Sequence, residues 1–136
     1  GDLKIYIMPN PVNERLSGFE TTEMAKSVSL ALGEGTMTPF WVENVGYQAM
    51  QIEAMKREGI PVEGINVSSD KRARLMTISS YVQNGTVLFP KKGCEDLIIQ
   101  LTFFGVEQHD DLADAFVLCV QGLLKRMNDK IKIDFI

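Results

Sequence analysis

The strongest constraint on how this chain can fold is an alternation along it. Short runs of β-forming residues are separated by longer stretches with helical spacing, and Gly or Pro marks most junctions. Leu3-Lys4-Ile5-Tyr6-Ile7-Met8 reads as a strand, ended by Pro9-Asn10-Pro11 because proline donates nothing to a sheet ladder. Residues 17–32 read as a helix. Thr21 or Thr22 is its expected cap, and Met24, Val28 and Leu32, with Ala25 and Ala31, are its expected apolar face. Pro39-Phe40-Trp41-Val42-Glu43 reads as a mostly buried strand, and residues 47–57 as a helix with Ala49, Met50, Ile52 and Met55 inward.

Residues 62–67 read as a further strand and residues 71–82 as a helix capped from Ser68-Ser69-Asp70. Asn84-Gly85 is a turn, and Thr86-Val87-Leu88-Phe89 a short strand ended by Pro90. Residues 95–102 read as a helix with Leu97, Ile98 and Leu101 inward. The last helix spans 110–127, apolar through Phe116, Leu118, Val120 and Leu123, with Gly122 weakening its second half. The tail 130–136 alternates at period two and reads as a strand or a frayed end. Alternating strands and helices predict a layered α/β fold with helices packed on a central sheet. The length, 136 residues, fits one domain spanning 1–136.

Several function classes drop out. With 45% apolar and 24% charged residues, the chain has the make-up of a globular protein rather than a disordered one. No run approaches a membrane span, and no secretory leader is visible where the sequence opens. Cys94 and Cys119 are too few for a disulfide framework. Cys119 lies in the apolar run Phe116-Val117-Leu118-Cys119-Val120 and is expected to be buried; a reducing cytoplasm fits. One histidine, His109, and two distant cysteines do not give zinc-ligand spacing. Neither a Gly-x-Ser-x-Gly elbow nor a phosphate-binding loop ending in Gly-Lys-Ser/Thr occurs. Met24, Met50, Met55 and Met76 read as core filler.

Three features are candidates for chemistry, each with a plain structural alternative. Glu43 closes an apolar strand, and functional groups in open α/β sheets gather beyond the carboxyl ends of strands; alternatively it simply faces water. In Asp110-Asp111-Leu112-Ala113-Asp114 the acids fall at helical neighbour spacings, where their repulsion is relieved by a divalent cation; alternatively they answer the helix dipole. Asp70-Lys71-Arg72-Ala73-Arg74 puts three cations at a helix start, against the dipole, as a phosphate ligand would favour; alternatively they form a solvated face. Lys91-Lys92 adds a second basic pair. The net charge of −4 confines any contact with nucleic acid to local patches.

These features occur in a telling order: Val42-Glu43-Asn44-Val45-Gly46-Tyr47-Gln48, then Asp70 to Arg74, then Asn84 to Pro90, then His109 to Ala115. Over roughly residues 36–124 the sequence resembles the C-terminal nuclease domain of the phage terminase large subunit. The resemblance implies a ribonuclease H-like fold, a mixed central sheet flanked by helices. It implies a two-metal endonuclease, using Mg²⁺ or Mn²⁺, that cuts concatemeric double-stranded DNA in the host cytoplasm. It assigns Glu43, Asp110 and Asp111 to catalysis, the same three with Asp114 to metal binding, and Lys71, Arg72 and Arg74 to DNA. His109 precedes the acids as in many members. Implied partners are an N-terminal ATPase domain, the small terminase subunit and the portal.

The family opens on a strand bearing another catalytic aspartate, followed by a second strand. Here the chain opens on what resembles the third, and Asp2 is no convincing replacement. The first strands therefore look absent. A tail strand carrying Asp134 is a candidate to fill their place. A non-catalytic or truncated module that docks DNA or packaging partners is the alternative from a different class. An unrelated α/β enzyme or small-molecule binder is a third.

Overall fold

The computed structural model describes residues 4–35, 37–46, 48–67, 71–104 and 111–134; the side chains of 71 and 128–134 fall outside the description. The elements are β1 (Ile5–Tyr6), α1 (Gly18–Ala31), β2 (Phe40–Glu43), α2 (Gln48–Arg57), β3 (Val62–Ile65), α3 (Lys71–Gln83), β4 (Val87–Leu88), α4 (Glu95–Thr102) and α5 (Asp111–Asp134). The fold is therefore α/β. Its strands form two small parallel sheets among the described residues, β1 with β4 and β2 with β3. The chain divides into two compact units, residues 14–68 and residues 1–13 with 69–136.

In the unit of residues 14–68, β2, α2 and β3 form a strand–helix–strand turn of the kind that parallel pairing requires. Ala25, Ile52, Met55, Ile60 and Val62 make its core, with Phe40 and Val42 packed against them. Ser17, not Thr21 or Thr22, caps α1. Its hydroxyl accepts from the Glu20 N–H while the Glu20 carboxylate accepts from the Ser17 N–H, satisfying two amides at the helix start. Those bonds, to the Ser17 backbone first, hold the Glu20 carboxyl below its ordinary pKa.

The buried face of α1 is Thr22, Ala25 and Ser29, whereas Ala31 and Leu32 are exposed. Small residues admit close approach, and their polar atoms are matched. The Gln51 amide donates to the Gly18 carbonyl at 3.1 Å and to the Thr22 hydroxyl at 2.9 Å. A Cβ at Gly18 would lie 2.9 Å from Gln51 Oε1, so a larger residue there would displace the end of the Gln51 side chain. Ser29 donates to the Thr38 hydroxyl at 2.9 Å and accepts from the Thr38 N–H. On α2, Ile52 and Met55 point inward, but Ala49 is exposed and Met50 lies 77% in solvent. A ten-residue helix packed along one side has no room for a broader apolar face.

In the other unit, α5 is the centrepiece. Leu112, Ala113, Phe116, Val117 and Val120 pack with Ile78 of α3, Val87 of β4, Leu97 of α4 and Ile5 of β1. Phe89 meets Phe116 with ring centroids 5.6 Å apart, tilted by 31°, which ties the end of β4 to α5. The exit from β1 passes over Gly93. The Asn10 N–H donates to the Gly93 carbonyl at 2.8 Å, and a Cβ at Gly93 would come within 2.7 Å of Pro9, at a φ of +96° that side chains resist. Cys94 beside it is buried and donates to the Met8 carbonyl; burial pushes its thiol pKa up.

Other expectations are corrected. The tail is not a strand, because α5 continues to Asp134, so Asp134 does not stand in for a missing strand. Extending an existing helix through Lys and Ile costs far less than nucleating a new element. Cys119 is exposed: five consecutive residues circle a helix, and 119 falls on the outer side while its neighbours fill the core. Ile98 and Met76 are likewise exposed. Native protein should therefore take up one equivalent of a thiol reagent at Cys119, faster as pH rises because desolvation pushes that thiol's pKa up, and a second only on unfolding. Ile78→Ala, at a side chain with no solvent contact, should lower unfolding free energy by about 2–5 kcal/mol in urea titrations. Met76→Ala, 73% exposed two positions away, should change it by less than about 0.5 kcal/mol.

Candidate functional site

Parallel pairing of β2 with β3 sets Glu43 opposite Ile65 at the carboxyl end of the strand pair. The backbone continues the ladder one step, the Asn44 N–H donating to the Ile65 carbonyl at 2.8 Å. The Asn44 side-chain amide then donates to Asn66 Oδ1 at 3.2 Å. Glu43, next in sequence to this amide pair, is half-buried. Gly64 in β3 has Ile52 Cδ1 and Asn44 Cβ within 3.2 Å of where a Cβ would stand, so a side chain there would push on α2 and the strand end. Gln48, opening α2 beyond the loop, holds a buried Oε1 that lacks a hydrogen-bond partner.

In the other unit, Asp111 and Asp114 both lie in the first turn of α5, Asp111 exposed and Asp114 half-buried. The position suits carboxylates, since the helix dipole favours negative charge there. The amides of that turn are satisfied from α4. Gln100 Oε1 accepts from the Leu112 N–H at 2.8 Å and the Ala113 N–H at 3.2 Å. Gln100 was not legible as a functional residue, because nothing local marks a glutamine in one helix as the cap of the next. The start of α4 is itself fixed. Glu95 accepts from the Gly93 N–H with both carboxylate oxygens at 3.1 Å, and bonds to its own N–H and that of Gly93 hold its carboxyl below the ordinary pKa.

The basic segment opens α3. Arg72 is exposed, but Arg74 is only 8% exposed, so it does not belong to a solvated charged face. Among the described residues Arg74 has no hydrogen-bond or ion-pair partner, and its Nε is buried without one. Lys91 and Lys92 are exposed in the turn after β4.

The structure thus places Asp111 and Asp114 together on α5, Arg72 and Arg74 together on α3, and Glu43 in the unit of residues 14–68. Asp110, His109, Asp70, Asp2 and the side chain of Lys71 lie outside the described residues. Among the described residues no three His, Cys, Asp or Glu side chains gather around one point as a metal site. No helix among them is long and apolar enough to cross a membrane. Compared with protein-family models, curated proteins and solved structures, the chain matches none.

Removing the Gln100 cap should weaken the α4–α5 junction. Gln100→Ala is expected to cost about 1–2 kcal/mol by urea unfolding, and to speed hydrogen exchange at Leu112 and Ala113 ahead of the rest of α5.

Proposed function

We propose that this chain is a metal-dependent endonuclease domain of the kind found at the C-terminus of the phage terminase large subunit, with a ribonuclease H-like fold. One observation carries most of the weight: Glu43 ends a strand of a parallel pair, beside the Asn44–Asn66 amides, where α/β enzymes collect reactive groups. The acidic first turn of α5 supports the same reading. In this reading Glu43, Asp110, Asp111 and Asp114 hold Mg²⁺ or Mn²⁺, two ions, and Glu43, Asp110 and Asp111 are catalytic. The donor chemistry fits: all four are hard carboxylate oxygens, and the exposed Asp111 keeps its oxygens toward solvent. Bound ions would supply water activation and offset charge developing on the phosphate.

The chain's own part is to hold the substrate. Lys71, Arg72 and Arg74 bind double-stranded DNA through its phosphates and carry no base readout, since charge–phosphate contacts are blind to sequence. The remaining partners belong to the same proposal: an N-terminal ATPase domain, the small terminase subunit and the portal, acting on concatemeric DNA in the host cytoplasm.

A second reading is a non-catalytic module that keeps the fold for docking DNA or packaging partners. It is favoured by the absence of a carboxylate on β1 or β4.

Supercoiled plasmid incubated with the chain and Mn²⁺ separates the two. Endonuclease activity should nick and linearise the plasmid and stop with EDTA. Glu43→Ala and Asp111→Ala should each slow it by about 100-fold or more, the scale on which a preorganised electrostatic group acts, with unchanged circular dichroism. Folded wild-type chain that binds duplex DNA but leaves the plasmid intact with Mn²⁺ would establish the docking module instead.

A further inference from the structure

The parallel pair of β1 and β4 has one bare face. On its inner side Ile5 and Val87 are buried in the core, and Ile7 and Phe89 pack against it. Side chains alternate along a strand, so Lys4, Tyr6 and Met8 stand on the outer side, with Leu88 of β4 beside Tyr6 by register. That side is open: Tyr6 is 69% exposed and Met8 62%, and Leu88 is exposed as well. Parallel sheets are as a rule covered on both faces, so an aromatic ring left in water on one of them calls for a ligand. The charge around the strip says which. Lys4 is exposed at its amino end, where the ammonium donates to the Gly85 carbonyl at 3.0 Å and is held beside the strands. Lys91 and Lys92 are exposed in the turn past its carboxyl end. The Asn10 N–H, donating to the Gly93 carbonyl, fixes that turn to the exit of β1. Residues 4–11 and 85–93 hold three lysines and no Asp or Glu, in a chain whose net charge is −4. Glu95 and Asp96 follow on α4, and the Glu95 carboxylate is turned back onto the Gly93 N–H.

We propose that the outer face of β1 and β4 binds a single-stranded nucleic acid, with a base stacked on Tyr6 and the phosphates met by Lys4, Lys91 and Lys92. An exposed ring offers little to a duplex, whose bases already stack on one another, whereas every unpaired base has a π-face to lay on it. Met8 and Leu88 widen the apolar platform on either side of the ring. Ammonium groups at the two ends of the strip track a phosphate backbone as point charges and read no bases. A protein partner fits less well. The centre of a protein interface is depleted of lysine, and a stable one buries about 800 Å² a side, more than three side chains provide. The proposal stands apart from the nuclease reading: it uses neither Glu43, nor the acids of α5, nor the cations of α3, and it needs no metal.

Fluorescence anisotropy of a labelled oligo-dT strand, titrated with the whole chain in EDTA, tests it. Wild type should bind, with an affinity that falls as salt rises. Tyr6→Ser should weaken binding about tenfold or more, the worth of one stacked base, while Tyr6→Phe should keep it. Lys91→Ala with Lys92→Ala should reduce the slope of log affinity against log salt by about 1.4, since each phosphate contact to a single strand contributes about 0.7. These residues are exposed, so circular dichroism should match wild type in every variant. Met50→Ser, at an exposed apolar residue in the other unit, should leave binding unchanged. Duplex DNA should lose no affinity in Tyr6→Ser; if it loses as much as the single strand, the ring is not stacking on an unpaired base and the proposal falls. It is overturned equally if oligo-dT does not bind, if Tyr6→Ser leaves its binding intact, or if the chain self-associates in a way that Tyr6→Ser abolishes, because a second copy would then cover the face.

Discussion

The dry seam between α3 and α5 is the interaction on which the larger unit depends. Ile78, Ala113 and Val117 have no contact with solvent, and interiors this closed tolerate neither a gap nor an added atom. Ala113 offers a short side chain where the helix carries both its acidic first turn and its core face. Everything else in the unit is fastened to that helix: β4 through Phe89 and Phe116, α4 through Gln100, and β1 through Ile5 in the same core. Arg74 stands one turn before Ile78 on the same face of α3 and is buried with it.

The smaller unit solves its packing by other means. Its long helix buries Thr22, Ala25 and Ser29 rather than large apolar groups, and the polar atoms among them are matched by Gln51 and Thr38. Such an interface gains less from water release than an aliphatic one and depends more on geometry, as the close approach at Gly18 shows. Its role is to support β2 and β3, whose parallel register delivers Glu43, Asn44 and Asn66 to one end. Lys26 adds ion pairs to Glu23 and Glu58 at the surface, where solvent leaves them little energy.

Much of the secondary structure was legible from local signals. The span of α4 matches the reading at both ends, and α3 begins where expected after its polar cluster. The orientations of side chains were less legible. Met50 and Met76 are apolar by composition yet lie in water, because each falls on the helix face that has no neighbour. Cys119 shares an apolar run with buried residues and still faces out. The cap of α1 lies four or five residues before the expected Thr21 or Thr22, since all three residue types suit a cap by propensity and only the reciprocal pairing with Glu20 selects Ser17.

For the candidate site the division is similar. By itself the sequence determined the alternation that makes an α/β fold, the acid at the end of β2 and the acidic opening of α5, because these follow from residue type and short spacing. Only the tertiary structure decided that Gln100 caps α5 from another helix and that Arg74 is buried while Arg72 is not. Burial depends on which face of a helix meets a neighbour distant along the chain, and local periodicity carries no record of that neighbour.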